Sequence, residues 1–120
     1  MLETHAPADA PATYANPEVL AFYRTLPFNY HRSPQEAARA IRRRNPLEAY
    51  PSLGPLLRRG TRALDVGCGA GWLAGSMARF KRCAVTGIDF NPVAIDRARA
   101  VAEALRVDAK FEVADLFKWR

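Results

Sequence analysis

The feature that most constrains this chain is residues 63–72, Ala-Leu-Asp-Val-Gly-Cys-Gly-Ala-Gly-Trp. A short apolar run, Arg62–Val66, enters Gly67, Gly69 and Gly71 at alternate positions, and a helical pattern follows at once. Glycines so placed let the backbone turn through positive φ. They also let a ligand approach the main chain and the positive end of the next helix. Strand, glycine loop and helix together form the opening unit of ligand-binding α/β folds.

The alternation continues to the end of the chain. Trp72–Lys81 reads as a helix with Leu73, Met77 and Phe80 on one side, and Cys83–Asp89 reads as a strand. In Pro92–Leu105, Ile95, Ala98, Ala102 and Leu105 recur at helical spacing, and Asn91 is the expected cap. Lys110–Asp115 is a third strand. Strands alternating with helices predict an α/β fold with a parallel sheet and right-handed crossovers. Asp89 would close the second strand and Asp115 the third, so both should share one sheet edge with the glycine loop. That edge, at the C-terminal ends of the strands, is where open α/β folds bind ligands.

The first half is organised differently. Residues 1–17 hold three prolines and no hydrophobic period, and are expected to be a disordered tail. Residues 18–60 read as a helical lead-in. Glu18–Leu26 would be one helix, ended by Pro27. Ser33, Pro34 and Glu36 spell the start of another, running to about Arg44. One or two further turns over Pro55–Arg59 would close at Gly60.

Residues 61–117 resemble the class I S-adenosylmethionine-dependent methyltransferases. LDVGCGAGW is similar to that family's first motif, GIDFNPVAI to its second and FEVADLF to its third. The resemblance implies that S-adenosylmethionine is the cofactor. Gly67, Gly69 and Gly71 would line its methionine moiety, and Asp65 would orient the turn and reach its amino group. Asp89 would take the ribose hydroxyls and Phe90 would pack on the adenine. Asp115 would accept from the adenine amino group, with the Leu116 N–H facing a ring nitrogen. The implied fold is Rossmann-like, and residues 61–120 would be the N-terminal half of the domain, with three of its seven strands. The expectation is therefore a truncated domain whose first strand has an open hydrophobic edge, prone to self-association. Methyl transfer to a small-molecule acceptor is the implied activity, and the 120 residues alone would be inactive. No catalytic residue is assigned within them.

Two other readings stand beside this one. A non-catalytic cofactor-binding fragment, or half of a split assembly, is the first. A nicotinamide-dependent oxidoreductase is the second, and Trp72 disfavours it. The dinucleotide fingerprint wants a small residue there for close helix–strand packing.

Charge and composition exclude several alternatives. The net charge is +6, shared equally between the two halves, with no basic block of the kind that marks a nucleic-acid-binding tail. Arg39, Arg42, Arg43 and Arg44 cluster at one helix end, where the helix dipole accounts for them; no nucleic-acid partner is expected. There is no apolar run of membrane-spanning length and no signal peptide, so a cytoplasmic protein without membrane contact is expected. The Arg- and Ala-rich composition suggests a bacterial source. Cys68 and Cys83 are not spaced as a metal or redox pair and read as buried small residues, while His5 and His31 suggest no metal site.

Overall fold

The computed structural model describes residues 31–118. The expected tail and the Glu18–Leu26 helix lie outside the described residues.

Helix α1, Pro34–Arg43, starts as its sequence dictates. Ser33 Oγ accepts the Glu36 N–H at 3.1 Å, and Pro34 occupies a first-turn position that needs no donor. The expected turns before the sheet are two 3-10 segments, Pro46–Ala49 and Gly54–Leu56, shorter than the helical turns predicted over Pro55–Arg59.

Three parallel strands follow in the order β1-β2-β3: Arg62–Val66, Ala84–Asp89 and Lys110–Val113. Leu64 pairs with Thr86 and Ile88 with Glu112, which fixes the register. The third strand ends two residues before the predicted Asp115. There the Ala114 N–H makes the last ladder bond, to the Asp89 carbonyl, and the chain enters a turn. Helix α2, Trp72–Lys81, joins β1 to β2, and α3, Pro92–Leu105, joins β2 to β3. Asn91 caps α3 as expected, its Oδ1 accepting from Val93 and Ala94.

One core lies between the helices and the sheet, where Met77, Val85, Ile95, Ala98 and Phe111 meet. A second joins α1 to α3 through Ala37, Ala38, Ile41, Val101 and Leu105. All four periodic residues of α3 are buried, as its spacing requires. The opposite sheet face is open, with Leu64 44% and Val66 47% exposed.

Both α2 and α3 end on arginines in the left-handed conformation, Arg82 at φ 55° and Arg106 at φ 59°. Glycine is the usual residue there, and a side chain costs ~1–2 kcal/mol.

Candidate functional site

The glycine loop is built by hydrogen bonds to the end of β2. Gly67 and Cys68 both donate to the Ile88 carbonyl, at 2.8 and 2.9 Å. Gly69 N–H donates to Asp89 Oδ2 at 2.8 Å, and Asn91 N–H donates to Asp89 Oδ1 at 2.9 Å. One carboxylate thus ties the loop to the entry of α3. Gly67, Gly69 and Gly71 all have positive φ, 71°, 56° and 82°. At Gly67 and Gly69 an added Cβ would meet nothing within 4 Å, so their bare backbone faces open space. Gly71 differs. A Cβ there would come within 3.0 Å of Ala98 and 3.2 Å of the Phe111 ring, which makes its smallness a packing requirement.

Beside the loop is a cleft of about 180 Å³. Gly67, Asp89, Phe90, Asp115 and Leu116 line it, so the structure brings together five of the eight residues singled out in the sequence. Gly69 is bonded to one of them, while Asp65 and Gly71 do not line the cleft. Phe117 lines it too and is 87% exposed. Sequence reasoning passed over this residue, because nothing in an exposed aromatic near a strand end distinguishes it. Asp115 holds the turn after β3 by accepting the Phe117 N–H at 3.0 Å.

The electrostatics are those of crowded negative charge. Burial, and then the neighbouring Asp89, raise the Asp65 carboxyl above its ordinary 3.8, and the Ala74 backbone N–H opposes the shift. Burial and the same two carboxylates push the Cys68 thiol up to about 12. That thiol is an inert buried group, as its sequence position suggested. Among the described residues no group of His, Cys, Asp and Glu is placed to hold a metal ion.

This donor set suits a cationic, phosphate-free ligand. Two carboxylates that repel each other would be relieved by a positive charge and worsened by a pyrophosphate. The apolar cleft beside Asp89 suits a flat ring, and the bare loop leaves room for a chain passing over it. S-adenosylmethionine, with its sulfonium, ammonium, ribose and adenine, fits these residues.

Trp72, the first residue of α2, is stacked on His31 with ring centroids 5.4 Å apart and planes 17° from parallel. Arg97 on α3 holds the His31 carbonyl at 3.1 Å. The lead-in is thereby anchored at the loop, with the histidine ring packed on Trp72.

Residues 57–120 match the family described as "Methyltransferase domain". The chain belongs to that family, and its fold is that of the class I S-adenosylmethionine-dependent methyltransferases. The release factor glutamine methyltransferase of Koribacter versatilis (strain Ellin345) is 43% identical over 54 residues, covering 44% of this chain and 19% of that protein. A Thiobacillus denitrificans S-adenosylmethionine-dependent methyltransferase, solved with S-adenosylhomocysteine, is 32% identical. It superposes with a TM-score of 0.53 over 66% of this chain and 35% of its own. The corresponding Geobacter sulfurreducens structure, also with S-adenosylhomocysteine, gives a TM-score of 0.54 at 25% identity, covering 83% and 37%. The chain thus spans about a fifth of the first relative and about a third of these structures.

Proposed function

We propose that this chain binds S-adenosylmethionine at the glycine loop and serves methyl transfer to a small-molecule acceptor in the cytosol. One observation carries the reading: the Asp89 carboxylate fastens the bare loop at Gly69 and also faces the apolar cleft. Each of its oxygens accepts one backbone N–H and keeps a lone pair for a ligand hydroxyl. Two ribose hydroxyls would complete the carboxylate. Phe90 and Leu116 would enclose the adenine, with Asp115 at its rim. The cleft is smaller than the ~300–1,000 Å³ of whole-ligand sites, which suits the adenine end alone. Gly67 and Gly69 would carry the methionine end, and Asp65 would answer its positive charge.

When bound, the cofactor supplies a methyl group on a positively charged sulfur. The residues here bind and orient it. Fixing donor and acceptor in line replaces a bimolecular encounter with an oriented one, an advantage that reaches ~10⁵ M in effective molarity.

Titration calorimetry with S-adenosylhomocysteine tests the reading. A charge-assisted hydrogen bond is worth ~1.5–3 kcal/mol, so Asp89→Ala should weaken binding at least ten-fold. Equal affinity in the variant, or tighter binding of NAD than of S-adenosylhomocysteine, would reject it.

A further inference from the structure

At the sheet edge opposite the cleft, the C-terminal ends of α1, α2 and α3 converge on a groove of about 670 Å³. Arg42, Arg79, Arg82 and Arg106 line it, and Asp108 is the one acid among its lining residues. All four arginines are exposed. Among the described residues none of them makes an ion pair; the pair that forms there, Arg99 with Asp96, lies outside the groove. A smaller groove, lined also by the exposed Leu64, shares Ala84 and Asp108 with the first and adds Arg62 and Lys110, so the positive charge continues along this edge.

Local interactions account for Arg42 and Arg79: both lie in last turns, and one nitrogen of the Arg42 guanidinium donates to the Ala104 carbonyl at 2.6 Å while its other donors face the groove. They do not account for Arg82 and Arg106. There the backbone N–H closes the helix, donating to Met77 and to Ala102 and Glu103, and the side chain takes no part in the cap. Glycine would serve both caps without strain. An arginine is held in the left-handed conformation at two neighbouring helix ends, and both face one groove. Strain retained at two such positions points to a use for the side chains.

We infer that this groove is a docking surface for the phosphodiester backbone of a nucleic-acid duplex. Guanidinium forks match phosphate oxygens in pairs, and a continuous row of them suits a polyanion. A protein interface usually centres arginines beside aromatic or large apolar anchors. None of the exposed large hydrophobics, Tyr50, Leu56, Leu64, Val66, Leu116 and Phe117, lines the groove. No aromatic ring lines it either, which leaves a single strand without the platform on which its bases would stack. The six residues of β2 separate the groove from Asp89 by roughly 17 Å. The duplex is therefore held away from the cofactor cleft, and this surface is independent of the methyl-transfer reading.

The test is fluorescence anisotropy of the 120-residue chain with labelled RNA and DNA duplexes, titrated separately over a range of salt. Four phosphate contacts predict a log–log salt slope of about −3.6, and two predict about −1.8. Arg82→Gly with Arg106→Gly should halve the slope and weaken binding about ten-fold or more at 0.1 M salt. The same change relieves two strained caps, so its melting temperature should match or exceed that of the parent. Arg32→Gln, a charge lost outside the groove, should leave the slope unchanged. Binding of either duplex with this pattern supports the surface. It is overturned if the double glycine variant keeps the parental slope, if neither duplex binds, or if poly-L-glutamate binds as tightly as both.

Discussion

Asp89 shows how much one side chain can organise. It was picked out as a ligand for ribose hydroxyls, and the structure adds that it holds Gly69 and Asn91 by their N–H groups. The loop and the cleft therefore stand or fall together. Gly69→Val tests the loop alone. Its φ of 56° disfavours any β-branched side chain, and the added group would enter the open space that the proposed ligand would occupy. A stability loss of ~1–3 kcal/mol from backbone strain is expected. Binding of S-adenosylhomocysteine should fall below that of Asp89→Ala. Thermal melts and calorimetry read the two effects separately, and parental affinity would reduce the loop to a turn.

Asp65 gives a pH dependence of definite sign. Its folded-state value is raised above 3.8, first by burial and then by Asp89. Protonation therefore favours the folded chain. The stability from this group is fully present below 3.8 and is lost as pH rises through the raised value. Asp65→Asn should accordingly be more stable than the parent at pH 7, and the gain should shrink on acidification. Urea unfolding at pH 4 and pH 7 measures it; an equal gain at both values would show that burial and Asp89 do not raise the Asp65 carboxyl. A cationic ligand acts in the opposite sense. It lowers the Asp65 value, so binding should release protons on the acid side.

At the scale of elements, the Phe111 ring ties the second half together. It lies where a Cβ of Gly87 would come to 2.7 Å and one of Gly71 to 3.2 Å. The ring of β3 thus fills space vacated by β2 and by the loop. Gly87→Ala would also press on Cys68 Sγ at 2.9 Å. Overpacking of this kind costs ~1–3 kcal/mol, seen as a lower denaturant midpoint. An unchanged midpoint would mean that the ring moves aside freely. The caps at Ser33 and Asn91 and the period of α3 were legible because each is a local rule of hydrogen bonding or spacing. Gly87 was not legible as a packing glycine, because its partner lies 24 positions away on another strand. The end of β3 falls two residues short of Asp115, since the Ala114 N–H makes the last ladder bond, to the Asp89 carbonyl, and the turn held by Asp115 follows.

For the whole molecule, the open sheet face is the dominant physical fact. Helices α2 and α3 pack on one side of the sheet and α1 packs on those helices, leaving Leu64 and Val66 exposed on the other side. Among the described residues β1 is also an edge strand with unpaired backbone groups. Such an edge invites pairing with another chain. The 120-residue chain should therefore self-associate as concentration rises, and Leu64→Lys should reduce this. Sedimentation velocity is the measurement; one monomeric species at all concentrations would refute it. No helix among the described residues is long and apolar enough to cross a membrane.

The sequence by itself determined the order of strands and helices, the helix caps and the identity of the loop. These depend on backbone propensity, spacing and residue type within a few positions. It also named five residues of the cleft, because in a parallel sheet the strand ends converge on one edge whatever the side chains between them. Only the tertiary structure decided which glycines are bare for a ligand and which are small for packing. It also decided that Asp65 and Asp89 lie close enough to repel. The arginines were the last thing it settled. They are scattered over positions 42, 79, 82 and 106, and no local pattern joins them. Antiparallel alignment of α2 and α3 with their strands carries those two helix ends to the same edge, the packing of α1 on α3 brings Arg42 to it, and charge spread evenly through the sequence becomes concentrated in one groove.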